Sequence, residues 1–595
     1  MSEEYLSETY AQRIIRFQSA AGHHGRLMNW LSLVRFLSLV ATVWFIPLAV
    51  KHENPLFYGC SAAMLLVFLF LVKRFNFQKE MKILNARIRD LNQKELSCLN
   101  HQFRDYPDGQ EFADPGHPWS HDLDLFGRGS LYQYLNRTST LKGKALLAEA
   151  LTTEPGSPEV IHRRQGVIAD LKERIDFRQN FTARGEMFDE TGGDLHDIEN
   201  WLSTPSYITK RKWLFYLAIV ISTLAIAIIV YGMVVPGGAR YLLPLLVFNF
   251  AMLSPFLART GRYQESISKK HKLLEGYAQL LKLISETTFE NPELLSNRAS
   301  AWDGMREVAR LSKLLNLFDQ RLNMLLGAIF NGLFLYDFIM VYLLERWKRK
   351  NSHKIMDWIE ITGWTDAMIS LSGFAWNHPG FSMPEMEGAQ GPIEVIGLGH
   401  PLIRSDKRVV NNLAIGQEQV VIITGANMAG KSTFLRSLGV NTVLAYTGCP
   451  VCATRFTMGF TGLYSSMRTA DSLADEESYF LAEIKKLQRI VRRMEAGHPM
   501  LILLDEVLKG TNTTDKKRGS VGLIKRSLPY PVKCFIATHD LSLGELEKEL
   551  PGKVVNYCFE SYIKDLELVF DYTIRKGIAT NMNASFLMKQ MGIMD

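Results

Sequence analysis

The chain has 595 residues, of which 47% are hydrophobic and 22% charged, and its formal net charge is +7. Its mean hydropathy of −0.02 is too low for a polytopic membrane protein and high for a wholly soluble one, which favours a few membrane spans attached to a larger soluble body. This length allows about three to four domains. The mild basic excess permits contact with nucleic acid or anionic lipid but does not argue for either.

Two apolar runs stand near the N-terminus, at residues 30–50 and 56–72, separated by the short segment KHENP. Each is close to the roughly 17–25 residues that a spanning helix needs. They predict a transmembrane hairpin within residues 1–75. The charged start, MSEEYLSETYAQRIIRF, has no cleavage pattern, so we expect no removable signal peptide.

A second apolar pair occupies residues 213–235 and 241–258, joined by PGGAR. It predicts another transmembrane hairpin within residues 210–260. Pro244, Asn249 and Pro255 make its second arm the least regular of the four. The alternative is that all four runs are buried helices of a large soluble core.

Basic residues flank both predicted hairpins, whereas the tips hold only Lys51 and Arg240. The flanking residues are Arg13, Arg16, Arg26, Lys73, Arg74, Lys79, Lys210, Arg211, Lys212, Arg259 and Arg262. Basic flanks remain in the cytosol. The pattern therefore predicts a multi-pass membrane protein whose N-terminus and C-terminal domain lie on the cytoplasmic side.

A fifth apolar stretch, at residues 324–344, contains Asn331 and Asp337. An unpaired carboxylate is costly in the middle of a bilayer, and an odd number of spans would put the C-terminal domain on the other side. We therefore expect a buried helix of the soluble part here, with a fifth span as the alternative.

The other segments outside the hairpins have soluble patterns. Residues 76–121 predict a helix followed by a linker rich in Pro, Gly and Asp. Residues 122–209 and 261–396 are helical in pattern, and the second part contains the amphipathic segment YQESISKKHKLLEGYAQLLKLISET. From about Gly397 onward, short β-rich runs alternate with helices, which predicts an α/β domain at residues 397–595.

The segment GANMAGKST follows the apolar run VVIIT and precedes a helical pattern. It fits the phosphate-binding loop G-x-x-x-x-G-K-[ST] in its strand–loop–helix context. Glycines let backbone N–H groups face the phosphates, and the helix N-terminus adds positive potential. We expect Lys431 to reach the β- and γ-phosphates of ATP and the Ser432 hydroxyl to ligate Mg²⁺. The candidate nucleotide-binding residues here are Gly425, Asn427, Met428, Gly430, Lys431, Ser432 and Thr433.

Two later strand ends supply carboxylates and an imidazole. The run MLILLDE ends in Asp505 and Glu506, and KCFIATHD ends near His539. A carboxylate at a strand tip can hold Mg²⁺, and the next one can orient the attacking water. We therefore assign Asp505 with Ser432 to the metal, and Glu506 with His539 to catalysis.

Two features carry weaker signals. Ser478 stands where an acidic loop gives way to a helical pattern, and its hydroxyl is placed to cap that helix. Cys449 and Cys452 form a single CxxC. Without a second Cys or His pair nearby, two buried thiols in a reducing compartment are the preferred interpretation over a zinc or redox site.

Together these motifs resemble the MutS family of ABC-type ATPases. The segment TGANMAGKSTFLRSLG is similar to its phosphate loop, with Asn427 and Met428 at the family's "NM" positions, and LLDEVLKGTNTTD to its extended Walker B motif. ESYFLAE resembles the family signature, ATHDLSL its His loop and GHPLI its domain entry. SLYQYLNRTSTLKGKALLAEALTTEP looks like the start of its helical core, and WTDAMISLSGFA like the return into the ATPase.

The resemblance covers residues 122–595 and implies an all-α core and lever region and a C-terminal α/β P-loop ATPase. With the N-terminal and central transmembrane hairpins that the apolar runs predict, the expected fold is multidomain. It also implies a homodimer in which Ser478 of one subunit closes over the γ-phosphate bound to the other. The chain leaves no room for the N-terminal mismatch-reading domain of the family. The second hairpin interrupts the helical region roughly where family members extend toward a DNA clamp, and RVVNN lacks the aromatic residue expected to stack on adenine.

Three functions remain open at this point. The first is a membrane-anchored MutS-like ATPase coupled to DNA binding or mismatch repair. The second is an ATP-gated membrane switch acting on protein or lipid without DNA. The third, an ABC exporter, is the weakest, because DEESYF contains no glycine and exporters usually have more spans.

Overall fold

The computed structural model describes residues 2–52, 54–388, 391–468, 479–508, 511–564 and 567–580. A helical body runs from Glu3 to Asn377, and an α/β region follows it. The helices of the body are α1 Glu3–His52, α2 Pro55–Leu99, α3 Leu131–Leu135, α4 Leu141–Thr152, α5 Pro158–Lys172, α6 Ile175–Gly185, α7 Asp194–Ser203, α8 Lys212–Val234, α9 Leu242–Leu253, α10 Leu257–Glu265, α11 His271–Glu286, α12 Pro292–Asp319, α13 Met324–Phe334, α14 Tyr336–Asn351 and α15 Ile355–Asn377.

The α/β region contains two sheets. Its strands are β1 Glu385–Glu387, β2 Ile393–Leu398, β3 Asn411–Ile415, β4 Val420–Gly425, β5 Arg455–Gly459, β6 Gly462–Ser466, β7 Met500–Asp505, β8 Val532–Thr538, β9 Val554–Lys564 and β10 Glu567–Lys576. Its helices are α16 Lys431–Thr447, α17 Tyr479–Glu495, α18 Thr513–Ser527 and α19 Leu546–Glu549. The larger sheet has the order β10-β9-β4-β8-β7-β6 and is parallel except for β10, and the smaller has the order β1-β5-β2-β3.

The first hairpin, α1 with α2, is much longer than its two apolar runs. The helices contain 50 and 45 residues, which corresponds to about 75 and 68 Å. The turn lies where KHENP predicts it: the Asn54 side chain caps α2 by accepting from the Leu56 N–H at 3.0 Å, and Pro55 occupies the first position. The helix expected within residues 76–121 is the second half of α2, which continues from the apolar run to Leu99 without a break.

The second hairpin consists of α8 and α9. The second arm is irregular, as its prolines predict: the helix gives way to a 3₁₀ turn at Ser254–Phe256 before α10 begins. Pro255 has no N–H to continue the helical ladder.

Four helical stretches are long and apolar enough to cross a membrane, by length and composition alone: Glu3–His52, Pro55–Leu99, Thr209–Val234 and Gly238–Glu265. Their most apolar windows are between 6% and 22% buried. A soluble core would cover such windows, so the alternative of four buried core helices loses its main support.

The fifth apolar stretch is not the single buried helix that we expected. It forms two helices, α13 and α14, bent by 89° at Leu335, which has a left-handed backbone with φ of 49°. The cause is polar: the Asn331 amide oxygen accepts from the Asp337 N–H at 2.9 Å, and the Asp337 carboxylate binds Arg321 at 2.9 Å. These bonds hold Asp337 beside α13 and turn the chain.

The predicted linker is a packed segment. Beyond α2, residues 100–130 form turns rather than long elements, yet Trp119, Leu123 and Leu125 are almost fully buried. Trp119 donates its indole N–H to the Leu151 carbonyl at 3.1 Å. The segment therefore joins the helical body to the α/β region through a shared core.

Candidate functional site

The candidate site begins where β4 ends. All six residues of β4 are buried, and its last residue, Gly425, has φ of 151°. A Cβ on Gly425 would lie 2.6 Å from the Phe559 carbonyl oxygen, so a larger residue does not fit. Met428 and Gly430 have φ of 70° and 108°, and α16 starts directly afterwards. The backbone is thus bent into the tight loop that a phosphate cradle requires.

Lys431 lies inside this loop. Its side chain is almost fully buried, and Nζ donates to the carbonyl oxygens of Gly425 at 2.6 Å and Ala426 at 2.8 Å. These bonds hold the ammonium group at the centre of the loop. Asn427 and Thr433 are exposed, Ser432 is half-buried, and 78% of the Met428 side chain is exposed.

The sheet brings the other predicted side chains to the same edge. β8 lies between β4 and β7, and the register pairs Thr424 with Thr538 and Asp505 with Ala537. The carboxyl ends of the three strands therefore meet beside the loop. Asp505 and Glu506 are half-buried there.

Glu506 and His539 are in direct contact. Nδ1 of His539 lies 3.2 Å from Oε1 of Glu506. Glu506 has a left-handed backbone with φ of 53°, and its N–H donates to the Ala537 carbonyl at 2.9 Å. Such backbone strain is maintained only where the surroundings enforce it, and it is frequent at functional sites.

The groups present fit Mg²⁺ and a nucleotide. A hydroxyl and a carboxylate, from Ser432 and Asp505, are the hard oxygen ligands that Mg²⁺ prefers. Gly425 and Gly430 have no side chains. A side chain at either position would contact Phe559 or Tyr572, so the space within the loop stays open. The roles of the individual residues stay predictions. Ser478 lies outside the described residues.

Sequence reasoning missed Tyr572. The β9–β10 register shifts between Phe570 and Ile574, and at this bulge Tyr572 has φ of 55°. Asn411, which belongs to the RVVNN segment, holds both sides of the bulge: it donates to the Tyr572 carbonyl at 3.1 Å and accepts from the Ile574 N–H at 2.7 Å.

The Tyr572 ring is an aromatic group beside the phosphate loop, where the RVVNN segment supplies none. The ring is 45% exposed, and its Cδ1 lies 3.2 Å from the position that a Cβ on Gly430 would take. An exposed aromatic face beside a phosphate loop suits stacking on a base. The sequence gives only a faint signal, the break in β alternation at Asp571 and Tyr572.

Asp122 is a second residue that the sequence did not single out. It is 1% exposed and accepts from Ser465 Oγ at 2.7 Å, the Arg468 N–H at 2.9 Å and Lys486 Nζ at 2.5 Å. It therefore ties the packed segment after α2 to the end of β6 and to α17. On α17, the buried Glu483 carboxylate accepts from the Leu508 N–H at 2.6 Å, just beyond the predicted catalytic residues.

The CxxC thiols are buried, as expected. Burial raises the pKa of Cys449 to about 12 and that of Cys452 to about 11. Arg408 donates to the Cys452 sulfur at 2.8 Å. Among the described residues, no group of three or more His, Cys, Asp or Glu side chains is arranged to hold a metal ion.

Comparisons with known proteins place the similarity in the α/β region. The model of MutS domain V matches residues 421–590. The DNA mismatch repair protein MutS of Chlorobium phaeovibrioides is 36% identical over 210 residues, which is 34% of this chain and 24% of that protein. The protein of the same name from Aquifex pyrophilus is 33% identical over 237 residues, 39% of this chain and 27% of its own length.

A third relative, the DNA mismatch repair protein MutS of Thermotoga petrophila, is 30% identical over 229 residues, 38% of this chain and 28% of that protein. The chain thus spans about a quarter of the length of the curated relatives that it matches. The matched part includes the loop before α16 and the ends of β7 and β8. The α/β region is therefore similar to domain V of the MutS family.

Proposed function

We propose that this protein is a membrane-anchored ATPase of the MutS type, with a P-loop fold in its α/β region. The observation that carries the proposal is the meeting of three strand ends, which brings Lys431, Asp505 and the Glu506–His539 pair to one edge of a parallel sheet. ATP is the substrate that this set of groups suits best, and Mg²⁺ the metal.

Each group has a distinct task in this proposal. The loop N–H groups and Lys431 hold the β- and γ-phosphates, while Ser432 and Asp505 ligate Mg²⁺, which neutralises the charge that develops during transfer. Glu506 orients the water that attacks the γ-phosphorus, and His539 fixes the Glu506 carboxylate through their 3.2 Å contact. Tyr572 supplies the face against which adenine stacks.

The site works in a homodimer. Met428 of the loop and Leu481 at the start of α17 are 78% and 45% exposed, and in this proposal the partner subunit covers both. Ser478 of the partner subunit completes the site in this arrangement. The Leu508–Glu483 bond then links closure at α17 to the catalytic segment after β7.

The two hairpins anchor the protein in the membrane, with the N-terminus and the α/β region in the cytosol. The support is the small buried fraction of four apolar stretches and the basic residues at the outer ends of both hairpins.

The variant Glu506→Gln tests the ATPase proposal. Its amide cannot accept a proton, so we expect phosphate release from ATP to fall at least about a hundredfold while nucleotide binding persists. ATP should then convert the full-length variant in detergent to a stable dimer, measured by light scattering. A variant that stays monomeric with ATP bound would contradict the composite site, and one that hydrolyses ATP normally would contradict the role of Glu506.

A second candidate function is coupling of ATP hydrolysis to DNA, of the mismatch-repair type. It is favoured by the name of the relatives, which are DNA mismatch repair proteins. The alternative coupling is an ATP-gated membrane switch that acts on protein or lipid without DNA, and the exposed apolar helices favour it.

Binding measurements with several DNA structures distinguish coupling to DNA from coupling to the membrane. The detergent-solubilised protein is titrated with duplex, mismatched and branched DNA at 50 and 200 mM salt. Specific DNA coupling predicts tighter binding to one of these structures and an affinity that falls with salt, because phosphate contacts release counterions. Equal, negligible binding to all three at the lower salt concentration supports the membrane switch.

A further inference from the structure

The helix α13 exposes apolar side chains and buries a polar one, the reverse of a surface helix in water. Its outward side chains are apolar: Met324 is 91% exposed, Leu325 69% and Ile329 42%. Its polar side chain, Asn331, points inward and is 7% exposed, and no charged residue occurs from Leu322 to Tyr336. A surface helix in water has the opposite arrangement, with its apolar stripe facing the core.

The helix packs closely on the second hairpin. A Cβ on Gly332 would lie 2.6 Å from the end of the Leu246 side chain, so glycine lets the two helices approach without displacing that side chain. The fully buried Asn249 of α9 donates to the Gly332 carbonyl at 2.6 Å, and Ser222 of α8 donates to the Phe334 carbonyl at 3.1 Å. Small residues and side-chain hydrogen bonds of this kind are typical of contacts between helices in membranes.

The position of Ser222 along α8 indicates how deep this contact would lie in a bilayer. Ser222 lies ten residues beyond Lys212, the first residue of α8 and the last of its basic flank, which corresponds to roughly 15 Å along the helix. The hydrocarbon core of a bilayer is about 30 Å thick. If Lys212 marks the cytosolic face, the end of α13 lies no deeper than about the middle of that core.

The chain then returns to the side from which it came. After the 89° bend, α14 runs back along α8: the Tyr342 ring stacks on Phe215 with centroids 4.0 Å apart. Further along α14, the Glu345 carboxylate accepts from the N–H groups of Tyr207 at 2.6 Å and Thr209 at 2.7 Å, just before the basic start of α8. The segment therefore enters and leaves at the same end of the hairpin.

Polar groups at the bend are satisfied within the protein, as a bilayer requires. The Asp337 carboxylate, 1% exposed, binds the Arg321 guanidinium through two contacts of 3.0 and 2.9 Å and accepts from Asn331 at 3.1 Å. The Leu335 N–H donates to the Asn331 carbonyl at 3.2 Å. An ionisable pair that faces the protein interior is the form in which charge is tolerated at this depth.

We propose that α13 is embedded in the cytosolic half of the bilayer, roughly in the membrane plane, so that residues 324–344 re-enter the membrane without crossing it. The occupant of its exposed face is lipid, because this face continues the exposed apolar surface of the second hairpin. The inference rests on the proposed membrane anchoring.

This position gives the membrane a direct link to the soluble part. α12, called the lever helix here, has 28 residues, about 42 Å, and ends at Asp319, one short turn before α13. Near its middle it is tied to α14: the Trp347 indole N–H donates to the Glu307 carbonyl at 2.9 Å, and Asn351 donates to the Glu307 carboxylate at 3.0 Å. A movement of the lever helix would therefore tilt α13 in the lipid.

Spin labels measure the depth of α13. Leu325→Cys and Ile329→Cys are labelled one at a time in the full-length protein, with the exposed Cys60 replaced by Ser, in vesicles of phosphatidylethanolamine and phosphatidylglycerol at 3:1. Leu224→Cys on α8, 47% exposed, is the membrane control, and Trp302→Cys on the lever helix, 46% exposed, is the aqueous control. Collision rates with oxygen and with a nickel chelate report the surroundings of each label.

We expect the Leu325 and Ile329 labels to match the Leu224 label, with high oxygen and low nickel accessibility, and the Trp302 label to show the reverse. If both α13 labels match Trp302 while Leu224 is in lipid, the present inference is overturned and the membrane anchoring stands. If the Leu224 label is also in water, both are overturned.

Thiol labelling distinguishes re-entry from a full crossing. Gln320→Cys and Arg349→Cys flank the segment at exposed positions and are treated with a membrane-impermeant maleimide in sealed vesicles of known orientation. Re-entry predicts that both react from the same, cytosolic side. Reaction from opposite sides would mean a fifth span and would overturn the inference.

Discussion

The strand β4 and the helix α8 are both apolar in sequence, yet the fold covers one and exposes the other. All six residues of β4 are buried. In α8 the buried residues form one narrow stripe, Leu214, Ala218, Ile221 and Ala225, and large side chains such as Val220 and Leu224 are 63% and 47% exposed. Apolar side chains must leave water in both cases. The strand is covered by protein, and in the proposed function lipid covers the helix.

The largest effect is expected at the end of β4. Lys431→Ala removes the ammonium group that holds the loop and, in the proposed function, the phosphates, so ATP turnover should fall by a factor on the order of 10³ or more. Phosphate release by the full-length protein is the measurement. Membrane association should be unchanged, because Lys431 lies outside the apolar hairpins to which we assign the anchoring.

Lys548→Ala on α19 is the matched control, since Lys548 is exposed and lies outside the candidate site. It should retain wild-type turnover. Normal hydrolysis by Lys431→Ala would exclude the assignment of this loop to ATP.

The second prediction concerns α8. Leu224→Arg places a charge near the middle of the helix on an exposed apolar face, which costs about 2.5–3.5 kcal/mol on insertion scales. We expect the fraction of protein recovered in the membrane to fall at least tenfold while purified protein keeps its ATP turnover. Fractionation of cells by flotation, followed by a turnover assay, measures both quantities.

Leu295→Arg on the lever helix is the corresponding control, because Leu295 is also exposed, at 40%, but lies outside the apolar hairpins. It should remain in the membrane fraction. Equal behaviour of the two arginine variants would mean that the exposed face of α8 does not contact lipid, and the comparison with β4 would fail.

A smaller effect is expected at His539. Its contact with the Glu506 carboxylate positions that group, so His539→Ala should lower the turnover number roughly 10- to 100-fold with little change in ATP affinity. His498→Ala, an exposed histidine in the turn before β7, is the control. A loss of affinity with unchanged turnover number would show that His539 acts in binding and not in positioning Glu506.

The elements of the α/β region could be predicted because its motifs are local. A strand, a glycine loop and a helix follow one another within the 28 residues from Val420 to Thr447, and the apolar runs before Asp505 and His539 predict strand ends. Parallel packing then brings these ends together. Tyr572 could not be predicted in this way, because its position depends on a bulge and on Asn411, which is 161 residues away in the chain.

The helical body was predicted less completely for the same reason. Hydropathy identified the apolar runs, but it did not show that α1 and α2 continue far beyond them. It also missed the break at Leu335, since that bend depends on bonds among Arg321, Asn331 and Asp337. Periodicity describes one element at a time, whereas these features arise from contacts between elements.

The smallest expected effect is on the pH dependence of stability. It concerns His378, which follows α15 at the entry to the α/β region. Nδ1 is 2.8 Å from the Phe374 carbonyl, so it carries a proton, and Nε2 accepts from the Tyr134 hydroxyl at 2.8 Å. This is a neutral imidazole, and burial, aided by Arg408, lowers its pKa to about 4. The ordinary value, about 6.5, applies to the unfolded chain.

A lowered pKa makes the folded protein bind fewer protons than the unfolded chain. The stabilisation from neutral His378 is therefore complete above about pH 6.5 and is lost as the pH falls toward 4. We expect His378 to contribute about 1 kcal/mol to the loss of unfolding free energy between pH 7.5 and 5.5. In His378→Gln, which has no titratable group, the decrease should be smaller than in the wild type by this amount, measured by denaturant unfolding at both pH values. Equal pH dependence in the two proteins would mean that His378 is solvated and titrates normally, and that the joint between the helical body and the α/β region is open to water.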